Sequence, residues 1–559
     1  MLSYQIVGIE DELLANVRTY LGPPPETDYE RDNVLYSAQR DVERALHALG
    51  HYQPVIELAL DNQAQPWTLQ ITVDAGPRVR IGELDIVIRG EANEDEAFRQ
   101  LLDDNPLQVG TGLNHETYEQ FKADLLNLGN TRGYFSARLE RHQVLVDVEQ
   151  GLARVSVHYY SGERYRFGQV NFDEFPLSMN RLTQLMNFQQ GDPFDIEKLR
   201  DLQSNLQRTG YFGTALVKPL PPDPETKEVP LQVQLQAGDR NHYRAGLGYS
   251  TDTRERISLT WRTPLLNSLG HWQETRVEYS PVRPRANFTY GIPLSHPLDD
   301  QLRLGARLED NEFGSLDSRQ HEISGRRDWK LGSWIASARL RYLNEDWELG
   351  SRKLNNEYVL PGFSMSHSSS RGDPLDPENG FSQLYGIEVG ADQAGSDMDL
   401  VRLHTHLRGV LTIAPRHRLV GRAELGAVYF SDKSRPDLAP SLSFFAGGTY
   451  SIRGYAYQSL GPTEKVTGPD GEEREVVFGG DRLAIVSGEY QYYVTPEWRT
   501  AVFVDAGNAF NAGDFDPVAV AGFGVHWVSP VGAIRIDLAN TVSEESSTWR
   551  VHIALGAEF

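Results

Sequence analysis

The sequence predicts α+β N-terminal repeats followed by an all-β, 16-stranded transmembrane β-barrel. Three observations lead to this fold class. Two short sequence phrases recur in the first 240 residues with a period near 80. After that point the helical period disappears, and segments of alternating hydrophobicity follow one another. The last eleven residues alternate almost perfectly, as does a membrane-barrel strand with one face toward lipid.

Composition limits the classes of protein that the chain can belong to. At 559 residues it is too long for one ordinary domain. No apolar run reaches the roughly 18 residues of a spanning helix, whereas alternating barrel strands average out to a mildly polar sequence. The net charge of −24 argues against nucleic acid as a partner, because a phosphate backbone demands basic surface. The absence of cysteine excludes disulfides and thiolate metal sites.

The N-terminus, from Met1 to Gln5, lacks a basic region followed by an apolar core. We therefore expect a mature chain whose export signal is absent from this sequence. A cytoplasmic protein is the alternative that this terminus taken alone would allow.

Two independent markers define three N-terminal modules. The first marker is a glycine followed by two ring side chains, which begins at Gly50, Gly133 and Gly210. The second is a glycine-led basic phrase that closes each module, beginning at Gly76, Gly162 and, in degenerate form, Gly238. Because both markers share one period, they predict tandem modules over residues 1–78, 79–163 and 164–239.

Each module is predicted as strand, helix, helix, strand, strand. In the third module the apolar positions recur at helical spacing, at Ile196, Leu199, Leu202 and Leu206. Asp195 suits the N-cap of this helix, and Gly210 suits its end. A small α+β sheet of this kind also offers an edge to which another strand can add.

Residues 240–559 are predicted as the barrel. Sixteen strand-like segments follow one another, at about twenty residues for each strand with its turn, which suits strands of roughly 9–11 residues. An even number returns the chain to its starting side, as closure requires. Fourteen or eighteen strands are the alternatives that the uncertain strand ends leave open.

The two end strands of this region have distinct faces. The last strand carries an apolar face that we interpret as a C-terminal strand signal, formed by Trp549, Val551, Ile553, Leu555 and Phe559. Gly556 lies on its opposite face. In the first strand, Leu247 and Tyr249 are predicted to face lipid, while Gly246 and Gly248 face the lumen.

One connection is too long for a simple turn. About fifty residues, 431–480, separate two predicted strands, and a loop of that length is usually functional. It carries the run Ile452, Arg453, Gly454 and Tyr455. Strand alternation places Glu489 and Asp505 on the inner face of adjacent strands, where one guanidinium could bridge both. The alternative is that the two carboxylates merely line a wet lumen.

These motifs resemble the Omp85 superfamily of outer-membrane insertases and translocases, in which periplasmic POTRA modules precede a sixteen-stranded barrel. The resemblance rests on the loop tip from Ile452 to Tyr455, on the strands containing Glu489 and Asp505, and on the stretch from Gly522 to Asp537. It implies that Arg453, Glu489 and Asp505 form a lock that holds the loop in the lumen.

The resemblance also implies a lateral gate, a seam between the first and last barrel strands. Its residues would be Gly246, Leu247, Gly248, Tyr249 and Gly556. Glycines weaken strand pairing there, and an incompletely paired seam is an edge that can template an incoming strand.

The function implied by the resemblance is insertion and translocation of outer-membrane β-barrel clients such as autotransporters. The expected partners are unfolded clients, the lipid bilayer, and a large β-rich protein anchored in the inner membrane and bound through module 1. The expected location is the outer membrane of a Gram-negative bacterium, with the modules in the periplasm. We expect neither an enzyme nor a cofactor or metal, because no nucleophile elbow, Walker A loop or H-E-x-x-H helix occurs.

Two other functions remain open on the sequence. One is a two-partner-type export pore for a dedicated secreted protein, and the other is the outer-membrane component of a lipid-transport conduit. A passive porin is disfavoured because porins lack three periplasmic repeats.

Overall fold

We analysed a computed structural model, which describes residues 2–63, 66–313, 316–349, 352–373, 376–431, 438–467, 472–529, 532–543 and 548–556. The chain divides into two compact units. The first comprises Met1–Asp173, Met186–Gln203 and Leu216–Gln234, and the second Glu174–Leu185, Ser204–Ala215 and Leu235–Phe559. Among the described helices, none is long and apolar enough to cross a membrane.

The first module is a three-stranded sheet covered by two helices. Its elements are β1 (Leu2–Val7), α1 (Asp11–Leu21), α2 (Asp28–Ala48), β2 (Val55–Asp61) and β3 (Trp67–Asp74). The strand order is β1-β3-β2, with β1 parallel and β2 antiparallel to β3. A capping box between Thr27 and Glu30 begins α2. Because both outer strands pair on one side only, β1 and β2 are the edges of this sheet.

The second module repeats this arrangement. Its elements are β4 (Arg80–Arg89), α3 (Glu96–Asp103), α4 (His115–Thr131), β5 (Arg138–Asp147) and β6 (Leu152–Tyr160), with strand order β4-β6-β5. Aromatic side chains dominate its core, among them Phe98, Phe121, Tyr134 and Tyr159.

The third module has the same order of elements and is divided between the two compact units. Its elements are β7 (Arg166–Phe172), α5 (Met179–Thr183), α6 (Ile196–Thr209), β8 (Phe212–Pro219) and β9 (Glu228–Ala237), with strand order β7-β9-β8. Leu199, Leu202 and Leu206 of the predicted helical stripe are buried.

Apart from a short 3-10 helix at Asp392–Ala394, the remaining elements are strands. They are β10 (His242–Ser250), β11 (Arg254–Thr263), β12 (Trp272–Tyr279), β13 (Arg285–His296), β14 (Asp300–Phe313), β15 (Leu316–Leu331), β16 (Trp334–Leu349), β17 (Arg352–Asp373), β18 (Asp376–Gly390), β19 (Leu400–Ala414), β20 (His417–Phe430), β21 (Thr463–Thr467), β22 (Glu473–Val477), β23 (Arg482–Tyr493), β24 (Trp498–Phe510), β25 (Val518–Ser529), β26 (Gly532–Thr541) and β27 (Trp549–Gly556).

Strands β10–β20 and β23–β27 form a closed antiparallel barrel of 16 strands, and β21 and β22 form a separate hairpin. The predicted fold class, α+β modules followed by a 16-stranded barrel, is therefore confirmed. Alternation separates the two faces of the wall, since Leu247 is 80% exposed on the outside while Asp505 is fully buried inside.

Strand length is where the barrel departs from the prediction. Near the closure the strands are short, with 9 residues in β10 and 10 in β11. On the far wall β15 and β16 have 16 residues each and β17 has 22. A membrane requires only roughly 9–11 residues, so the long strands continue beyond it. Charged residues such as Arg319 and Asp346 lie in these extensions, which is why the hydrophobic pattern did not mark their ends.

Candidate functional site

The loop between β20 and β23 packs inside the barrel. Its apolar residues Leu442, Phe444 and Ile452 are buried in one cluster with inward-facing wall residues such as Tyr358 and Leu360. Isolated β-bridges join Phe444 to Gly480 and Ala446 to Leu460, so the loop has fixed backbone structure of its own. The run from Gly468 to Gly471, whose Gly, Pro and Asp residues are typical of an exposed turn, lies outside the described residues.

Arg453 lies at the tip of this loop and is 4% exposed. Its Nε and Nη2 donate to Asp505 Oδ2 and Oδ1, both at 2.8 Å, as a bidentate pair. Its Nη1 donates to Glu489 Oε2 at 2.6 Å and to Asp537 Oδ2 at 3.3 Å. Its backbone N–H also donates to Asp505, at 3.1 Å. The structure thus brings together Arg453, Glu489 and Asp505, and adds a third carboxylate, Asp537.

Neighbouring side chains hold these carboxylates in place. The Ser487 hydroxyl donates to Asp505 Oδ1 at 2.6 Å, and the Gln491 amide donates to Glu489 Oε1 at 2.6 Å. The ring of Phe503 lies under the guanidinium, with its centroid 3.3 Å from Arg453 Cζ. We call Arg453, Glu489, Asp505 and Asp537 the loop lock.

Sequence reasoning missed the role of Asp537 and of its partner His526. The His526 ring nitrogen Nε2 lies 2.9 Å from Asp537 Oδ1, and both side chains are buried. Alternation along β26 would have placed Asp537 inward, but the barrel register that brings it beside Arg453 is not readable from one strand.

The backbone of the tip is equally constrained. Gly454 has φ +92°, a conformation that favours glycine, and an added Cβ would lie 3.1 Å from Val520 Cγ1. Its N–H donates to His552 Nε2 at 2.8 Å. Ile452 is fully buried, and Tyr455 packs against the same apolar cluster.

Strands β10 and β27 close the barrel with very little pairing. β10 pairs with β11 along its whole length, from His242 to Ser250. Between the described residues of β10 and β27 the register has a single pair, Ser250 with Ala554. One further backbone hydrogen bond runs from Thr251 N to Ile553 O at 3.1 Å. We call this junction the seam.

The loop tip bridges the two sides of the seam. The Thr449 N–H donates to Asp252 Oδ2, in the turn after β10, at 2.8 Å. The Thr449 hydroxyl lies 3.1 Å from His552 Nδ1, on β27. Because His552 Nε2 accepts from Gly454, the proton of the neutral ring must sit on Nδ1. His552 and Asp252 therefore connect the tip of the loop to both edges of the seam. Neither residue was singled out from the sequence.

The other predicted residues lie as follows. Leu247 and Tyr249 are exposed on the outer face of β10, and Gly246 and Gly248 alternate with them. On β27, Trp549 and Val551 are exposed, Ile553 and Leu555 are half-buried, and Gly556 pairs with Ala533. Phe559 lies outside the described residues.

Comparison with protein families gives three matches. The profile of the Omp85 superfamily domain matches residues 231–559, more than half of the chain. A profile described as POTRA domain TamA domain 1 matches residues 3–75. A POTRA profile, described as surface antigen variable number repeat, matches residues 165–238.

Curated relatives and solved structures agree with this. Outer membrane protein assembly factor BamA of Nitratidesulfovibrio vulgaris is 25% identical over 394 residues, covering 67% of this chain and 48% of that protein. BamA of Neisseria meningitidis is 21% identical over 272 residues, covering 44% and 33%. The chain thus matches half or less of the length of these relatives. The crystal structure of BamA from Haemophilus ducreyi lacking POTRA domains 1–3 has the same fold, with a TM-score of 0.70 at 16% identity, covering 86% of this chain and 99% of that one.

A barrel of this kind, similar to BamA, implies a place in the outer membrane of a Gram-negative bacterium, with the POTRA modules in the periplasm. The superfamily profile spans the whole barrel and the end of the third module. The chain therefore belongs to the Omp85 superfamily.

Proposed function

We propose that this protein is an outer-membrane insertase and translocase of the TamA type. It would assist the assembly and secretion of β-barrel clients such as autotransporters through the seam between β10 and β27. The observation that carries the proposal is the seam itself, where the described residues of two neighbouring strands share a single register pair, whereas the other neighbouring strands of the wall pair over most of their length.

An edge of this kind suits a client strand. Unpaired backbone groups template the addition of a strand, and in lipid each unsatisfied group is costly. A client strand that pairs with β10 or β27 satisfies these groups while it moves sideways into the bilayer. Clients could therefore cross the seam without exposing bare backbone to hydrocarbon.

The short strands at the seam support the same role. With 9 residues in β10 and 10 in β11, the wall is lower here than at β17, which has 22. A bilayer thins to match a short apolar belt, at a cost of fractions of a kcal/mol per ångström. Thinner membrane beside the seam would lower the barrier to client insertion.

The number and type of modules support the TamA assignment within the superfamily. The structure has three small α+β sheets before the barrel, and the first matches the TamA-specific POTRA profile. The edge strand β2 exposes the apolar side chains Val55, Leu58 and Leu60. We propose that a large β-rich partner anchored in the inner membrane, of the TamB type, adds a strand to this edge.

A disulfide across the seam tests the proposal. The chain has no cysteine, so a Ser250→Cys/Ala554→Cys variant can form only this bridge. We expect oxidation to stop delivery of an autotransporter to the cell surface and a reductant to restore it. The matched control is Ser337→Cys/Ser364→Cys, which bridges the fully paired strands β16 and β17.

Full activity of the oxidised seam variant would contradict a lateral gate. Surface delivery of one soluble protein, unaffected by the seam bridge, would favour the export pore instead. Loss of phospholipid transfer with normal client delivery would favour the lipid conduit.

A further inference from the structure

A dense group of arginines lines the lumen on the wall opposite the loop lock. Two adjoining cavities of about 460 and 310 Å³ share the side chains of Arg307, Glu322 and Arg339 in their lining. We call these cavities the arginine recess. Its lining guanidiniums are those of Arg303, Arg307, Arg326, Arg339, Arg341 and Arg402, with Arg283 at the rim.

These arginines share too few carboxylates. Glu388 binds three guanidiniums, those of Arg339, Arg341 and Arg402. Glu322 accepts from Arg307 at 2.8 Å and from Arg341 at 3.2 Å. A single carboxylate has two oxygens, so each of these pairings leaves donor groups of the arginines unused.

Two further carboxylates along the wall are each shared by two arginines. Asp328 is held by Arg303 at 3.3 Å and by Arg326 at 3.0 Å. Glu309 is held by Arg283 at 2.6 Å and by Arg307 at 3.2 Å. Among the described residues, seven guanidiniums therefore share four carboxylates in ion pairs. Glu345, which is buried and interacts with Arg341, is a fifth carboxyl group nearby, so the surplus is two to three positive charges. Glu274 also lines the recess, and Arg262, at 3.9 Å, balances it.

One guanidinium in the recess has a donor without an acceptor. Within the part of the chain that the structure describes, Arg307 Nε is buried without a hydrogen-bond partner. The surplus is local, because the chain as a whole has a net charge of −24. Half-buried cations that share too few counter-charges are costly, and a bound anion reduces that cost.

We propose that the arginine recess binds a phosphate-type oxyanion. The planar fork of arginine matches two oxygens of a phosphate, and a phosphate offers more acceptor oxygens than a carboxylate. A phosphate dianion would offset most of the surplus charge. The larger cavity exceeds the space that one inorganic anion needs, so a phosphate ester such as a lipid headgroup also fits. This site does not depend on the proposed role of the seam.

Binding of two phosphate probes to the purified full-length protein in an uncharged maltoside detergent tests the site. The probes are inorganic phosphate and a short-chain phosphatidic acid, measured by titration calorimetry. We expect saturable binding that Arg307→Gln and Arg339→Gln each weaken about tenfold, because charge-assisted bonds are the strong ones. The matched control is Arg319→Gln, which removes an exposed guanidinium paired with Asp310, outside the recess, and leaves affinity unchanged.

A second variant separates binding from folding. Glu388→Gln removes the carboxylate that competes for three guanidiniums, so phosphate should bind several-fold more tightly. A misfolded barrel could not give tighter binding, and heat-modified migration in gels verifies folding for each variant.

Each outcome decides the question. Equal affinity for both probes identifies a free-phosphate site, and tighter binding of the lipid identifies a headgroup site. The proposal is overturned if neither probe binds above chloride, or if Arg319→Gln weakens binding as much as the recess variants do. It is also overturned if a tetraglutamate peptide binds more tightly than phosphate, since the recess would then accept acidic polypeptide.

Discussion

At the loop lock, one guanidinium is surrounded by three carboxylates and forms an ion pair with each of them. Strand alternation was enough to place Glu489 and Asp505 on the inner face of adjacent strands. Alternation could not predict that Asp537 lies beside Arg453, because this proximity follows from barrel closure and from the register of β25 with β26. Individual inward positions were thus predictable, but the full set of partners was not.

Removal of the Arg453 side chain should undock the loop while the barrel stays folded. Arg453→Ala removes the ion-pair partner of the buried Glu489 and the bidentate partner of the buried Asp505, a change that costs about 3–5 kcal/mol in comparable buried pairs. We expect protease cleavage within the hairpin of β21 and β22, together with reduced client delivery. Arg482→Ala, which removes an arginine on the outer side of β23, is the control. Unchanged protease resistance and activity in Arg453→Ala would refute the lock.

The link from the loop to the seam depends on one imidazole. His552→Phe removes the acceptor of the Gly454 N–H and the contact with Thr449, at a cost of about 1–3 kcal/mol for the unsatisfied donor. We expect the Gly454 amide to exchange with deuterium at least about tenfold faster. The exposed His321 on β15, changed to Phe, should leave that rate unaltered. Equal exchange in both variants would show that His552 does not hold the tip.

At the scale of elements, the repeat period of about 80 residues predicted most of the organisation of the N-terminal modules. The recurring Gly50, Gly133 and Gly210 mark the end of the second helix in each module, where the chain turns toward its next strand. The extent of strands such as β17 was not predictable, because beyond the membrane the outer face carries polar residues such as Lys353 and Asn355, so the lipid-facing apolar pattern no longer marks the strand. The pairing at the seam was unpredictable for a related reason, since hydrogen bonding between chain ends leaves no local pattern.

The second module contains a carboxylate, Asp95, that makes the stability of the module sensitive to acid. Burial raises the pKa of Asp95, but hydrogen bonds from Arg132 and the Ala97 N–H, with the charges of Arg132 and Arg164, outweigh it and lower the pKa below its usual value. A lowered pKa in the folded state stabilises the module above the unfolded value of about 4. This contribution is lost as the pH falls from there through the folded pKa.

Asp95→Asn should remove that acid dependence. The variant loses about 1–3 kcal/mol at neutral pH, since its amide cannot replace a carboxylate for Arg132 and Arg164. Amide exchange across α4 and β6, corrected for intrinsic rates, should then vary less between pH 5 and 3 than in the native chain. The exposed Asp147→Asn serves as control. A native-like acid profile in Asp95→Asn would assign the sensitivity to other groups.

At the scale of the whole molecule, the fold class and the family were readable from the sequence, because repeats, alternation and the loop motif are all local patterns. The variation in strand length and strand pairing around the barrel was not readable from the sequence. Only the closed structure shows that the wall is long and continuously paired at β15 to β17. Among the described residues, the wall is barely paired at the seam, where the loop bridges it. We propose that client strands are inserted at the seam, where the barrel wall has the least strand pairing.

Photo-crosslinking at the seam in living cells tests that claim most directly. A photoreactive amino acid at Leu247, and then at Tyr249, would face lipid beside the seam. The matched control is Ile323, which is 67% exposed on the outer face of β15, far along the paired wall. The account predicts adducts with nascent outer-membrane barrels at Leu247 and Tyr249 and none at Ile323. Adducts with a single soluble exported protein, or with phospholipid alone, would contradict it.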